Sequence, residues 1–343
     1  MNSPITGKPM KIHKEPGKLS FRKEEFTIMY HYYLCEDTGE HFTSGELDQI
    51  NTIQVHNQYR EKHGIPFPDE IRKIREKYKL SARKISKILG LGENSYRNYE
   101  AGEIPSVANG RLILAIKHAE DFKKQVEASA HLLSENEKLK FEKIINKLIN
   151  EEKTATWKKF LENQFFYTQP NEYSGYKEPQ FDKIAGMIIL FSNQMKSFKT
   201  KLNKLLFFAD FQNYSKTGFS ITGLTYRAIP LGPVPAEYDK LYMKLAEEEK
   251  IYIDEVLLPG DDYAEIIKGR EEYNENIFND KEKEVLDTII KQFCLMSSKE
   301  IVELSHQYKA WKENQEQRKL INYQQYAFDI DINNMIADKA DTI

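Results

Sequence analysis

Two short amphipathic segments separated by Leu89-Gly90-Leu91-Gly92 constrain this chain more than any other feature. Two helices that cross steeply over so tight a turn need residues that tolerate unusual backbone angles and add no bulk at the crossing, and Gly90 and Gly92 supply both. Ser81 is placed to cap the first helix, whose inner face is Ile85, Ile88 and Leu89. The second helix buries Tyr96 and Tyr99 at i, i+3, which leaves Glu93, Asn94, Ser95, Arg97 and Asn98 to project outward. Asn pairs bidentately with adenine and Arg with guanine, and the N-terminal residues of such a helix are the ones that reach base edges in a major groove. Arg83 and Lys84, on the first helix, join them as candidate DNA contacts.

Charge supports that reading locally and not globally. Residues 69–118 hold eleven Lys/Arg against six Asp/Glu, whereas the whole chain of 343 residues has a net charge of -3. The positive excess is concentrated where duplex phosphates would lie. The bland alternative for the same pattern is a helical hairpin with solvated polar faces.

Before this segment, residues 19–43 alternate as strands, with Phe26, Ile28, Tyr30, Tyr32 and Leu34 on one face and Asp37-Thr38-Gly39 turning into His41-Phe42-Thr43. From Ser44 to His63 the pattern becomes helical, with Leu47, Ile50 and Ile53 or Gln54 on one side, until Gly64-Ile65-Pro66-Phe67-Pro68 breaks it. After it, a Lys/Glu-rich stretch from Glu127 to Gln169 places Leu139, Ile144 or Ile145, Leu148, Trp157, Phe160 and Leu161 at helical spacing and reads as connecting helices. A loop at Pro170–Gly175 leads to a second globular part. There Phe181, Ile184, Ile188, Phe191 and Met195 form one core-facing stripe, and Leu202, Leu205, Leu206 and Ala209 another. Ile221–Ile229 is β-like, Ile251–Ile253 and Val256–Leu258 are expected to pair as short strands, and helices return from Asp280 with Val285, Ile289, Phe293, Ile301, Leu304, Tyr308 and Trp311 in register. The expected class is therefore mainly α with small β elements (α+β). The expected divisions are 1–63, 64–125, 126–175, 176–325 and a tail, 326–343.

Composition narrows the function classes. No apolar run is long enough for a signal peptide or a membrane span, so a cytoplasmic protein with no membrane association is expected. Cys35 and Cys294 provide neither a disulfide framework nor a thiolate metal site. No phosphate-binding loop, HExxH or nucleophile elbow is present. His306 has no serine, cysteine or acid pattern around it and reads as a hydrogen-bonded structural residue. Asp210 and Asn203 read as capping or bridging groups on an amphipathic helix. No catalytic residue, cofactor or metal is expected.

The Tyr99-Glu100-Ala101-Gly102-Glu103-Ile104-Pro105-Ser106 exit resembles the Xre/Cro-type helix-turn-helix, and residues 1 to about 125 together resemble the MqsA-type antitoxins, in which a small zinc ribbon precedes a helix-turn-helix. The family's Cys-x-x-Cys knuckles are here Ser3-Pro4-Ile5-Thr6-Gly7 and Cys35-Glu36-Asp37-Thr38-Gly39. Neutral hydroxyls are not among the usual zinc ligands, so no zinc is expected. The family's base-contacting Asn falls on Asn94, while the position usually held by Arg carries Asn98, with Arg97 beside it.

Residues from about 180 to 320 resemble the Panacea (SocA-like) domain in Lys201–Asp210, Ile221-Thr222-Gly223-Leu224-Thr225-Tyr226, Leu231-Gly232-Pro233-Val234-Pro235 and Ser305-His306. That resemblance implies an antitoxin that neutralises a protein toxin encoded beside it, with Asn203, Tyr226, Pro233, Val234 and Pro235 as candidate toxin contacts. The Gly232–Pro235 segment reads either as a rigid surface contact or as a corner between core elements. The combined expectation is a homodimer that binds operator DNA, represses its own operon and captures a cognate toxin. Alternatives are a proteolytic adaptor that delivers the toxin to a protease, and a transcription regulator with no toxin partner.

Overall fold

The computed structural model describes residues 1–154, 169–196, 198–257, 263–330 and 332. These are mainly helical with small antiparallel sheets, the α+β class expected. Trp157, Phe160, Leu161, Leu258 and the tail beyond residue 332 lie outside the described residues. Among the described residues no helix is long and apolar enough to cross a membrane. The chain divides into two compact units, Met1–Val55 with Thr168–Ile343, and His56–Tyr167.

In the first unit, β1 (Lys11–Phe21) and β2 (Glu24–Leu34) pair along their full length, from Lys11↔Leu34 to Phe21↔Glu24. Arg22 and Lys23 turn the hairpin with φ of 48° and 69°, the left-handed pair whose twist matches that of the strands. β1 begins well before the strand signal visible in the sequence. No residue of β1 is buried, so it carries no clear alternation to read. β3 (His41–Phe42) covers only the Tyr33–Leu34 end of β2. Further along that edge, Met29 and His31 are satisfied by side chains of α1 (Gly45–His63). The Asn51 amide accepts from His31 N at 2.8 Å and donates to His31 O at 2.9 Å, and the Gln54 amide does the same for Met29 at 2.9 Å each way. Polar residues therefore occupy the buried face of α1 because they stand in for a missing strand. Of the two residues the sequence left open, Gln54 is the buried one.

The same hairpin packs against the C-terminal segment. Lys14 Nζ donates to Phe328 O at 3.2 Å, and the His31 and Phe328 rings meet edge-on at 5.0 Å. Gln324 donates to Gln54 Oε1 at 2.8 Å.

The second unit contains α2 (Pro68–Lys77), α3 (Ala82–Ile88), α4 (Ser95–Glu100), α5 (Val107–Ala115), α6 (Ala119–Ala128) and α7 (Glu135–Lys153). Its core runs from Ile71 and Tyr78 through Ile85, Tyr96 and Ile113 to Phe122, Phe141 and Ile145. Residues 135–153, expected as a connector, thus contribute core side chains. Buried hydroxyls find acceptors: Tyr96 OH donates to Ile71 O at 2.8 Å, Tyr78 OH to Ile116 O at 2.5 Å and Ser129 Oγ to Ile88 O at 2.6 Å.

The remainder of the first unit is built around α9 (Lys199–Thr217), which is buried without interruption from Lys201 to Tyr214. A helix enclosed on all sides has no amphipathic stripe, so the sequence reading of one core face was too narrow. α8 (Phe181–Gln194), α11 (Asp280–Phe293), α12 (Ser298–Ser305) and the hairpin of β4 (Tyr226–Ile229) and β5 (Gly232–Pro235) surround it. α10 (Tyr238–Glu247), α13 (Lys309–Lys312) and α14 (Tyr323–Tyr326) complete the helices of this part. Of the two readings of Gly232–Pro235, burial favours the corner between core elements: Pro233, Val234 and Pro235 form a buried strand and not a surface loop. One strand expectation is corrected. Residues 251–257 are one strand, β6 (Ile251–Leu257), which pairs with β7 (Tyr263–Gly269) instead of folding back on itself. A sheet edge that runs through Asp254 and Glu255 hides that continuity from hydropathy.

Candidate functional site

The turn between α3 and α4 brings the sequence-predicted polar residues onto one surface. Gly90 takes φ of 67°, and Ser81 Oγ accepts from Lys84 N at 3.2 Å, capping α3 as expected. Tyr96 and Tyr99 are buried, and Glu93, Asn94, Arg97 and Asn98 are exposed, with Ser95 half-buried. Asn94 occupies the N-cap of α4, yet its side chain makes no capping bond, which leaves the amide available. Arg97 makes no ion pair among the described residues. The other cations are partly spent. Arg83 pairs with Glu93 at 2.5 Å on the exposed surface, and Lys84 turns to α7, where it pairs with Glu137 at 2.5 Å. That lysine and the Ser134 cap hold the Glu137 carboxyl down to about 2. Behind this surface Arg75 forks onto Glu100, at 2.6 Å through Nε and 3.2 Å through Nη2, locking α2 to α4.

The ribbon-like knuckles also converge. Ser3 Oγ donates to Cys35 Sγ at 3.3 Å, and Thr6 Oγ1 lies 3.8 Å from the same sulfur. Hydrogen bonds from Ser3 and Thr38 bring the thiol down to about 7. One thiol among hydroxyls is a poor donor set for zinc, and no group of three or more His, Cys, Asp or Glu side chains is arranged to hold a metal among the described residues.

In the C-terminal part, Asp210 is buried at the centre of α9. It accepts from Ile221 N at 2.7 Å, Thr222 N at 2.9 Å, Tyr226 OH at 2.7 Å and the Thr222 hydroxyl. Burial pushes its carboxyl up and those donors pull it back. This is the bridging role expected of Asp210, and it places Tyr226 in the core, at 0% exposure, rather than at a surface.

Beside α9 lies a cleft of about 870 Å³, bounded by the start of α9, the β4–β5 turn, the start of β7 and the N-terminal end of α12. Asn203 and Val234 line it, and Asn203 Oδ1 accepts from Tyr242 OH at 3.1 Å. Pro233 and Pro235 do not line it. Lys199 crosses one wall, pairing with Glu265 at 2.6 Å and Asp239 at 2.8 Å.

The sequence reading missed Lys204, which also lines this cleft. It is fully buried, and its Nζ has no hydrogen-bond partner among the described residues. Burial brings the ammonium down to about 7. Gly232, with φ of 93°, lies over the side chain, and a Cβ there would collide with Lys204 Cε and Ser305 Oγ. Adjacent in sequence to Ser305, His306 stacks on Trp311 with ring centroids 3.7 Å apart, but its Nε2 is buried and unpartnered. Burial and the nearby Lys204 charge lower its pKa. A lysine beside the apolar run Leu205-Leu206-Phe207-Phe208 was the available signal, and it becomes legible only once α9 is known to be enclosed.

The fold of this part, an enclosed helix with a β hairpin and flanking helices around a cleft, is also where a known family appears. Residues 202–312, roughly a third of the chain, match the family described as antitoxin SocA-like, Panacea domain. No curated protein and no solved structure is a significant match to the chain.

Proposed function

We propose that the chain is an antitoxin whose Panacea-like part captures a cognate protein toxin by direct binding, while residues 64–125 act as an Xre/Cro-type helix-turn-helix on operator DNA. The family match at residues 202–312 carries the first half of this reading, since the matched segment spans most of the residues that bound the cleft. Asn203 and Val234 are the candidate toxin contacts that reach that cleft.

The second half rests on the α3–α4 surface. Asn94, Arg97 and Asn98 are exposed on a short helix held from behind by Tyr96, Tyr99 and the Arg75–Glu100 fork. Arg and Asn are the side chains that read guanine and adenine edges, and the local excess of cations suits the phosphates on either side. A homodimer on a palindromic operator, repressing its own operon in the cytoplasm, completes the proposal.

The test is growth rescue by the full chain co-expressed with the product of the adjacent gene. Because residues 1–55 and 168–343 form one compact unit, the whole chain is the right reagent, and point variants replace truncations. Rescue is expected from the wild type and from the Asn94→Ala, Arg97→Ala double variant, which no longer shifts operator DNA. A wild-type chain that neither rescues nor binds that product would remove the antitoxin reading.

A further inference from the structure

A lysine with its amine fully buried and unbonded is an expensive arrangement. A buried ammonium loses its hydration without compensation, and the usual outcome is pairing with a carboxylate. Elsewhere in this part buried and half-buried lysines do find acceptors. Lys199 has Glu265 and Asp239, Lys183 has the buried Glu282 at 2.6 Å, and Lys201 donates to Met296 O at 2.6 Å. Lys204 alone among these has no partner among the described residues, although it lines an open cleft.

Two further features of the same cleft suit an anion. Ser298 Oγ is buried and unpartnered, and Ser298 stands at the N-terminal end of α12, where backbone dipoles leave a partial positive charge. Lys299 follows it on the lining. The lining holds three lysines, Lys199, Lys204 and Lys299, against two acids, Asp239 and Glu265, both of which lie against Lys199, while Lys299 is 3.9 Å from Glu303. Large apolar side chains stand at the mouth: Leu231 is 57% exposed and Tyr263 73% exposed. A charged floor beneath an apolar rim is the pattern of a site that receives one polar side chain from an apolar-contacting protein surface.

We propose that this cleft receives an acidic side chain of the protein partner, its carboxylate bound by Lys204 and the Ser298 hydroxyl, with the surrounding partner surface lying on Leu231 and Tyr263. The carboxylate supplies the countercharge that the buried ammonium lacks. The occupant's identity rests on the antitoxin reading. The anion site itself does not.

Two measurements on the full-length chain separate these. The first uses N-acetylglutamate as the probe, followed by calorimetry and by the shift in unfolding temperature. Lys204→Met removes the charge while keeping the shape of the side chain, and is expected to fold at least as stably as the wild type. Probe binding should fall about tenfold or more in Lys204→Met, the loss of a hydrogen bond to a charged group, and less in Ser298→Ala. Equal binding by the wild type and both variants, or no binding by the wild type at saturating probe, overturns the proposal. Ser298→Ala also keeps the test decisive if Lys204→Met does not fold. The second measurement is capture of the adjacent gene's product. Loss of capture in folded Lys204→Met supports the proposal. Equal capture by wild type and Lys204→Met overturns it while leaving the antitoxin reading standing. Failure of the wild type to capture that product, with the probe still bound through Lys204, overturns the antitoxin reading and the assigned occupant but not the anion site.

Discussion

In the helical unit, most of the side chains proposed to meet DNA stand exposed on or just before α3 and α4, and the buried tyrosines and Arg75 beneath them have hydrogen-bond partners. In the cleft beside α9 the arrangement is reversed, with the Lys204 amine and the Ser298 hydroxyl buried and unbonded. A nucleic-acid surface needs no stored imbalance, because its charges are solvated until phosphates replace the water. A recess that takes one charged group must hold its own charge desolvated in advance, and the fold bears that cost. Asp210, further along α9, shows what the same depth of burial looks like when the carboxylate is supplied with donors.

The contrast breaks most readily at Asp210. Asp210→Ala strips an acceptor from Ile221 N, Thr222 N and the Tyr226 hydroxyl, and should lower unfolding free energy by about 3 kcal/mol or more, since each buried donor left unsatisfied costs about 1–3 kcal/mol. Chemical denaturation measures it, and a loss below about 1 kcal/mol, the net worth of a single ordinary hydrogen bond, would show that Asp210 does not organise this region.

Next in size is the pH dependence set by Lys204. Its amine is held near 7 in the folded chain and lies near about 10.4 when unfolded, so between those values the unfolded state binds the extra proton. Stability therefore rises with pH across that window, by up to about 1.4 kcal/mol per unit, and the penalty is full below about pH 7. Comparing wild type with Lys204→Met across that window should show the slope in the wild type only. Parallel profiles would mean that Lys204 is solvated or paired.

On the exposed surface the effects are on binding, not folding. Asn94→Ala or Arg97→Ala should weaken operator binding by about 1–3 kcal/mol per lost base contact, with little change in unfolding temperature. An unchanged gel-shift titration for both variants would remove α4 from the interface. The smallest effect is expected at the Lys84–Glu137 pair. Glu137 is held near about 2 when folded, so its contribution is present above the ordinary carboxylate range and disappears as pH falls toward that value. Thermal unfolding of Glu137→Gln should thus fall slightly below wild type at neutral pH and converge with it in acid.

Legibility followed burial in a consistent way. Ile85, Ile88, Leu89, Tyr96 and Tyr99 were readable because α3 and α4 have one buried face and one wet face, and that contrast is written in the residue order. β1 was not, because neither of its faces is buried, and α9 was read as a stripe because a helix buried all round has no contrast to display. Asn51 was not legible and Gln54 stood as an alternative to Ile53, because their partners lie on the open edge of β2 and not in the helix itself. The expectation of two short strands failed at Ile251–Leu257 for a related reason: acids on an exposed edge interrupt the apolar pattern without interrupting the strand.

What the sequence determined alone was local: the Gly90 turn and its two helices, the Ser81 cap, the class of fold, and the type of side chain displayed at positions 93–98. Apart from the fold class, each of these depends on residues within a turn or two of one another. The tertiary structure decided which charges are spent. It paired Lys84 with Glu137 and Lys199 with Glu265, and it joined residues 1–55 to the C-terminal part. It left Lys204 without a countercharge among the described residues, because solvation and pairing depend on neighbours far away in the chain, which residue order does not specify locally.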